Sequence, residues 1–457
     1  MYILGSLIVL LTFLTIISYY LSEKDILSTP VTLCMAFLGT CAMALAYADV
    51  WLLSLSYMTA WVIFVGVSGY LLGYFLWFYY KNRTEENLIS SKDHVDEIHV
   101  SIIATCIFVV FELVSIYGSY TYMDNVTSMF ISTNSLIEKV GIFHIVIMDQ
   151  NITSSMSIPP KPRLYSWLED MCCVGSFIYM YILAHDHVYQ AKVKWYFIPI
   201  IILYLCNSLL TGGRFNTVAT LMGLGIFYYV FNKRKNNWNL GITLKQAAKY
   251  GVLLAVMLLF FPMSMVLLGR SDMEITVDTI GIVFKDVMYN LAVYVGAEIK
   301  LLNTFVTETY INARYDDPIA SHTLSTLYGK IGNAFNIPSW RDVGAGDIPF
   351  DSVNGNFLGN VYTMFRPYMT DGGLIGVFIF SFIMGVIFAY FYYKVRYKYS
   401  GSIDNKIDFN LLVYGWIYYC VPLSFFSNWF YGLLAPSLLR MALCFYICRF
   451  FILKNDE

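Results

Sequence analysis

Charge is the scarcest property of this sequence. Only 13% of its 457 residues are Asp, Glu, Lys or Arg, whereas a soluble domain contains about 25%. Such a chain has too little polar surface to cover the roughly three soluble domains that its length would otherwise suggest. The formal net charge is −2, so no basic excess is present to attract a nucleic acid.

Several catalytic and metal-binding motifs are absent as well. The sequence contains no P-loop, no Gly-x-Ser-x-Gly and no His-Glu-x-x-His. Its nine cysteines lie in or beside apolar runs and form no Cys-x-x-Cys pair, which argues against a zinc or iron–sulfur site. The adjacent acids Asp316 and Asp317 are a weak metal motif. We therefore expect chemistry without a metal or cofactor, based on the electrostatics of arginine.

Apolar residues are abundant instead, at 58% of the chain, and a spanning helix needs about 20 of them in succession. The hydropathy pattern predicts an all-α polytopic membrane protein with about eleven transmembrane helices, within a range of about ten to twelve. The predicted spans are 2–20, 31–49, 56–80, 99–118, 169–185, 194–211, 215–232, 249–268, 373–393, 409–427 and 431–452. Pro262 and Pro436 should kink the two spans that contain them.

Lysine and arginine predict the orientation of these spans. They concentrate in three short loops, at 81–98, 233–248 and 394–408. Short loops rich in Lys and Arg face the cytoplasm, which places the N-terminus outside and the C-terminus inside.

Three regions follow from this topology. Residues 1–268 form an N-terminal bundle of about eight spans with an outer loop at 119–168, and residues 373–457 contain about three further spans. Between them lies a large outer loop, residues 269–372, and a loop of this length without a function is unusual. Its apolar residues recur every three or four positions from Ile280 to Phe305, which predicts an amphipathic helix on the bundle or at the interface. Residues 331–356 are expected to be irregular.

Arginines on the predicted outer face are the main functional candidates. The guanidinium group recognises phosphate through a fixed fork of donors, so several arginines near the membrane surface would bind an anionic lipid head group. The alternative is that they are solvated or paired with loop carboxylates. The candidates are Arg214, in the turn Gly212-Gly213-Arg214, and Arg314, Arg341 and Arg366 in the large loop.

Glu112 and Arg440 lie inside predicted spans, where a charge costs several kcal/mol unless it is paired or hydrated. Glu112 is interpreted as a helix-end carboxylate, an arginine partner or a contact for an acceptor sugar. Arg440 either reaches outward to the interface or pairs with an intramembrane acid. On the outer face, His322 is a candidate general base, and Glu298 is a second one.

One segment carries a family resemblance. Residues 359–373 read Gly-Asn-Val-Tyr-Thr-Met-Phe-Arg-Pro-Tyr-Met-Thr-Asp-Gly-Gly and lead into an apolar span. The Asn-Val-Tyr-Thr core, the Pro-Tyr pair and the Asp-Gly turn resemble the segment before a late membrane helix in bacterial O-antigen polymerases, the Wzy family. The Gly-Gly-Arg turn at 212–214 is similar to a turn in that family. One departure is Gly372, where the family often has Phe.

The resemblance implies a fold and an activity. Members have a GT-C-like membrane fold and join undecaprenyl-diphosphate-linked oligosaccharide units at the periplasmic face of the bacterial inner membrane, with undecaprenyl diphosphate as the leaving group. The product would be O-antigen or a related surface polysaccharide, as in lipopolysaccharide biosynthesis. The partners implied are this lipid-linked glycan, membrane lipid and a chain-length regulator protein, which no residue pattern identifies.

Residue roles follow from combining the resemblance with the chemistry of the side chains. Arg214 and Arg366 would stabilise negative charge on the leaving diphosphate, with Arg341 and Arg314 next, and His322 would act as the base. Asn360, Tyr362 and Tyr368 would contact sugar, since amides and aromatic faces bind glycans. Glu112 and Arg440 complete the substrate-binding candidates.

Two other activities are consistent with the same sequence. An O-antigen ligase uses the same donor but transfers the glycan to lipid A-core. A flippase or transporter for the lipid-linked unit belongs to another class of protein, and would place charged residues along a central cavity through many spans.

Overall fold

The computed structural model describes most of the chain, and the statements below concern the described residues. These are 1–84, 98–148, 158–189, 191–210, 214–236, 238, 280–310, 312, 317–341, 351–397 and 407–453. The predicted span 249–268, with Pro262, lies outside them.

Helices make up nearly all of the described structure, and one short hairpin is present. The helices are α1 Tyr2–Leu21, α2 Thr29–Ala46, α3 Tyr57–Thr84, α4 Ile102–Thr127, α5 Leu136–Met148, α6 Arg163–Tyr189, α7 Ile198–Leu210, α8 Arg214–Lys235, α9 Ile280–Thr304, α10 Ser325–Phe335, α11 Pro338–Arg341, α12 Phe365–Tyr397, α13 Phe409–Ile417, α14 Trp429–Gly432 and α15 Ser437–Ile452. Strands β1 Asp351–Val353 and β2 Asn356–Gly359 pair in an antiparallel hairpin.

Six of the described helices are long and apolar enough to cross a membrane. They are Tyr2–Leu21, Thr29–Ala46, Tyr57–Lys81, Ile102–Thr127, Arg163–Tyr189 and Phe365–Tyr397. The structure thus agrees with an all-α membrane protein. The total of about eleven spans and the GT-C-like fold stay predictions.

The chain divides into two compact units. Unit 1 comprises residues 1–89, 288–399 and 417–438, and unit 2 comprises residues 90–287, 400–416 and 439–457. Each unit has its own core and is described separately.

Close contact between α3 and α12 organises unit 1. A Cβ added at Gly73 would collide with the carbonyl group of Phe382, and one added at Gly385 would collide with the carbonyl oxygen of Tyr70. Small residues at such points let two helix backbones approach closely in a membrane protein, where dispersion contacts hold helices together.

Helix α12 contains a break that the hydropathy pattern does not reveal. The backbone leaves the helical region at Gly372 and Gly373, and Gly373 has φ +57° and ψ −147°, a conformation that favours glycine. The segment before the break folds back, because the rings of Tyr368 and Phe380 lie 5.4 Å apart. A short helical segment, 365–371, therefore precedes the long helix 374–397.

The predicted span 409–427 is wrong as a continuous helix. Helix α13 ends at Ile417, and a 3₁₀ turn, Tyr418–Cys420, is followed by further turns up to residue 426. Pro422 lies within these turns and has no amide hydrogen to donate to a helix. The last predicted span, 431–452, is divided between α14 and α15, and α15 begins directly after Pro436.

A helix, α9, covers Ile280–Thr304, where the apolar stripe predicts one. Four members of its apolar stripe are buried, namely Val287, Ile299, Leu302 and Phe305. In unit 1 the helix packs on α2, where a Cβ at Gly296 would lie 2.9 Å from Met43 Cγ. Near this contact, Trp51 Nε1 donates a hydrogen bond to the Tyr289 hydroxyl over 3.4 Å.

The described parts of the segment 331–356, residues 331–341 and 351–356, contain regular elements that its composition does not predict. It contains the end of α10, all of α11 and the turn of the β-hairpin. Asn354 and Gly355 form this turn with φ angles of +51° and +77°. Positive φ at both central residues is the feature for which Asn-Gly is preferred in two-residue hairpins.

Unit 2 contains longer helices than the apolar runs predict. The predicted spans 99–118 and 169–185 correspond to α4 and α6, which extend to Thr127 and begin at Arg163. The Thr121 and Thr127 hydroxyls donate to carbonyl oxygens of Tyr117 and Met123 one turn earlier, so these polar residues continue the helix.

Candidate functional site

The segment that carries the family resemblance connects the hairpin to the broken helix α12. Thr363 is buried, and its hydroxyl accepts a hydrogen bond from the backbone N–H of Phe365 over 3.3 Å. The N–H of Met364 donates to the carbonyl oxygen of Ser424 over 2.9 Å. These contacts fix the start of α12, in the way that side-chain caps fix other helix N-termini.

Arg366 occupies the first turn of α12 and lies on aromatic rings. Its guanidinium carbon is 4.3 Å from the Tyr362 ring centroid and 5.2 Å from that of Phe305. The residue is half-buried, and no described carboxylate forms an ion pair with it. A guanidinium group has five N–H donors, so this arginine is suited to bind an anion.

Asp371 ties a neighbouring loop to the same short helix. Its carboxylate accepts hydrogen bonds from the backbone N–H groups of His322, over 3.1 Å, and Thr323, over 2.7 Å. Asn428 contributes from another side, since its Nδ2 donates to the Thr323 carbonyl oxygen over 2.9 Å. The Asp-Gly turn thus has a clear structural role in positioning the loop.

His322 has a carboxylate partner in this loop. Its Nε2 lies 3.3 Å from Asp317 Oδ2, and the two side chains are 25% and 22% exposed. A partly exposed imidazole held by a carboxylate has the arrangement of a general base whose orientation is fixed by a second group.

The residues 305–310, 317–323 and 362–373 form what we call the broken-helix corner. Tyr310 connects the first of these segments to the last, because its hydroxyl donates to the Met369 carbonyl oxygen over 3.2 Å. Burial raises the pKa of the Tyr362 phenol, and the nearby Arg366 opposes this shift. Tyr362 is therefore a neutral aromatic platform below the guanidinium group at neutral pH.

The other predicted sugar-contact residues differ in accessibility. Asn360 is half-exposed beside the hairpin. Tyr368 is fully buried, and its hydroxyl donates to Asn428 Oδ1 over 3.0 Å. In this structure Tyr368 therefore supports the loop at Asn428, and its ring is not presented at a surface.

The remaining predicted arginines are not all described. Arg341 ends α11 and donates a hydrogen bond to Asn336 Oδ1, while its Nε atom is buried without a described partner. Arg214 is the first residue of α8, and its side chain lies outside the described part of the structure. Arg314 lies outside the described residues altogether.

Glu298, the second candidate base, is only 2% exposed. Burial raises the pKa of its carboxyl group well above the ordinary value. A carboxyl group buried to this degree is poorly placed to meet an acceptor hydroxyl, whereas the His322 side chain is partly exposed, so the geometry favours His322 in that role.

Arg440 and Glu112, the charged candidates within predicted spans of unit 2, differ from each other in their surroundings. Arg440 forms an ion pair with Asp170, and its guanidinium carbon lies 5.7 Å from the Trp167 ring centroid. This is the pairing with an intramembrane acid that the sequence left open. Glu112 is fully buried, and its Oε1 accepts a hydrogen bond from the Ser176 hydroxyl over 3.1 Å.

Several members of the broken-helix corner, and Asn428 beside it, are not predictable as functional residues from the sequence. The sequence offers Asp317 only as part of a weak metal motif, Asp371 only as part of a turn and Phe305 only as the end of an apolar stripe. Tyr310 and Asn428 give no signal, because their roles depend on contacts between segments that are far apart in the chain.

Comparison with family models, curated proteins and solved structures finds no match to this chain. Within the described ranges, no group of three or more His, Cys, Asp and Glu side chains is placed to hold a metal ion. The features of this chain that bear on function are the geometry of the broken-helix corner and the residues 359–373.

Proposed function

We propose that this protein polymerises undecaprenyl-diphosphate-linked oligosaccharide units by metal-independent glycosyl transfer in the bacterial inner membrane, with its active site facing the periplasm. The observation that supports this most is Arg366, a half-buried arginine on two aromatic rings without a described carboxylate partner. It lies in the segment that resembles O-antigen polymerases.

Arg366 suits the leaving-group half of the reaction. When the bond between the anomeric carbon and the diphosphate oxygen breaks, negative charge grows on the diphosphate. A preorganised guanidinium group stabilises that charge more in the transition state than in the ground state, and this difference accelerates the reaction. The rings of Tyr362 and Phe305 hold the guanidinium group through cation–π contacts, which leave its positive charge intact.

His322 suits the acceptor half. The acceptor hydroxyl attacks the anomeric carbon and loses its proton as the new glycosidic bond forms. With His322 Nε2 donating to Asp317, Nδ1 keeps the lone pair that takes this proton. Asp371 connects the leaving-group residue Arg366 to the acceptor residue His322. Its carboxylate accepts a hydrogen bond from the backbone of His322, and it lies five residues after Arg366 on the same short helical segment.

The test uses the purified full-length protein with undecaprenyl-diphosphate-linked repeat units, in parallel reactions with and without lipid A-core. Products are separated on a glycan gel. A ladder formed from the lipid-linked units alone is the expected result. Heat-inactivated protein provides the background.

The other outcomes are equally informative. Product formed only when lipid A-core is present would replace polymerase with ligase. Absence of product in both reactions, with intact native repeat units, would contradict glycosyl transfer and favour transport of the lipid-linked unit.

A further inference from the structure

A row of polar groups crosses the interior of unit 2 between α4 and α6. The Tyr179 hydroxyl donates to Thr105 Oγ1 over 3.3 Å, the Ser176 hydroxyl to Glu112 Oε1 over 3.1 Å, and the Ser119 hydroxyl to Glu169 Oε1 over 3.0 Å. Thr105, Glu112 and Ser119 are spaced seven residues apart, about 10 Å along the helix, and therefore lie on one face of α4. We call this row the polar seam.

A third helix, α7, contributes a polar side chain to the polar seam next to Glu112. Asn207 of α7 donates through Nδ2 to the Ser115 hydroxyl over 2.8 Å. Ser115 lies one turn after Glu112 on the same face of α4. Asn207 Oδ1 and Glu112 Oε2 are both buried, and neither has a hydrogen-bond partner among the described residues.

Among the described residues, no cation forms an ion pair with Glu112. Arg440 is already paired with Asp170. The titratable groups that face Glu112 are Cys172 and Cys173 of α6 and Tyr204 of α7, with Cys448 of α15 next to Cys172. None of these groups carries a positive charge, and the Cys172 thiol is only a weak donor.

An ionised carboxylate in this position would be very unfavourable. Removing a carboxylate from water without a counter-charge costs several kcal/mol, even after relaxation of the surroundings. A proton on the carboxyl group removes that cost and supplies an O–H donor for a buried acceptor. The small residues Gly118 and Gly175, where a Cβ would collide with the rings of Tyr165 and Phe108, keep these helices closely packed and the seam narrow.

We propose that Glu112 is a proton-binding site within the membrane-spanning part of unit 2, and that the polar seam exchanges this proton with one end of the bundle. Ser119 and Glu169 mark that end, because Glu169 is ion-paired with Lys161 and is partly exposed. The inference is independent of the proposed glycosyl transfer, which is argued from Arg366 and His322 of unit 1.

The test uses full-length protein in lipid nanodiscs and an apolar carbodiimide, which reacts with protonated carboxyl groups in apolar surroundings. The modified residue is identified by mass spectrometry of proteolytic peptides. Labelling of Glu112 at neutral pH, with at least a tenfold loss at alkaline pH, is the expected result. Asp170 is the matched control, since it lies in the same bundle but is paired with Arg440, and it should stay unlabelled.

Infrared spectroscopy supplies a second measurement on the same samples. The carbonyl band of a protonated carboxylic acid should be present in the wild type and lost in Glu112→Gln. If Glu112→Gln does not fold, Ser176→Ala replaces it. This variant removes a hydrogen bond to the charged form, so labelling should persist to higher pH than in the wild type.

Three results would overturn the proposal. The first is the absence of both label and carboxylic acid band in the wild type, which would mean that Glu112 is ionised. The second is protection from labelling by Na⁺ but not by choline, which would identify a metal ion as the occupant. The third is an unchanged pH profile in Ser176→Ala.

Discussion

Arg366 in unit 1 and Arg440 in unit 2 each lie beside or within an apolar run of the sequence. The structure places the two arginines in different surroundings. Arg440 is paired with Asp170. Arg366 lies on the rings of Tyr362 and Phe305 without a described acid. The comparison shows that charge at membrane depth is not by itself a sign of function. The partner decides whether an arginine is neutralised by the protein or kept available for a ligand.

The largest effect should come from Arg366→Ala. We expect polymer formation to fall about 1000-fold, comparable to the loss of a donor that stabilises a developing oxyanion. Arg366→Lys should recover only part of this loss, because an ammonium group keeps the charge but lacks the planar fork. The measurement is the rate of ladder formation with lipid-linked units.

The matched control for Arg366 is Arg449→Ala, in the last turn of α15, which should leave the rate unchanged. Normal polymer from folded Arg366→Ala would remove the distinction drawn between the two arginines.

His322→Ala tests the acceptor half of the same corner. We expect a loss of about 100-fold, the lower end of what general base catalysis contributes. Asp317→Asn should also lower the rate, since it removes the charge that orients the imidazole but not the base itself. The split between kcat and KM distinguishes this role from a structural one, because loss of the base should lower kcat with little change in KM. A lower thermal stability of His322→Ala in detergent would indicate a structural role.

Packing in unit 1 can be tested without touching the corner. Gly73→Leu places a side chain where the α12 backbone already lies, and overpacking of this kind costs about 1–3 kcal/mol. Thermal unfolding in detergent should show the lower stability. Gly5→Leu in α1 is the control, because a Cβ there meets nothing within 4 Å. Equal stability of the two variants would contradict close contact between α3 and α12.

The smallest effect should come from Arg440→Ala. Its side chain and that of Asp170 are 30% and 19% exposed, and partly exposed pairs contribute up to about 1 kcal/mol. We expect a small loss of stability and no change in polymer formation. Replacing Asp170 by Asn in the same chain should recover part of that loss, as a double-mutant cycle would measure. A loss of activity comparable to that of Arg366→Ala would instead place Arg440 in the reaction.

Much of the helical architecture was predictable, because long apolar runs and the stripe from Ile280 to Phe305 have a clear periodicity. The end of α4 was not predictable, since the Thr121 and Thr127 hydroxyls donate hydrogen bonds within their own helix and extend it through polar sequence. The Asn354-Gly355 pair is the strongest short sequence signal for a hairpin. The irregular composition of the surrounding residues, 331–356, obscures this signal. Arg366, Tyr362 and His322 are predictable as candidates from the chemistry of their side chains. Their partners Phe305 and Asp317 are not predictable in these roles, because contacts between distant segments of the chain determine them.

The break at Gly372 and Gly373 affects which parts of α12 can change in sequence during evolution. Residues 374–397 form a helix about 36 Å long at 1.5 Å per residue, and a bilayer core is about 30 Å thick. This helix satisfies the requirements of membrane insertion without help from residues 365–371. Selection can therefore replace side chains before the break, and so alter the broken-helix corner, while the helix 374–397 stays the same.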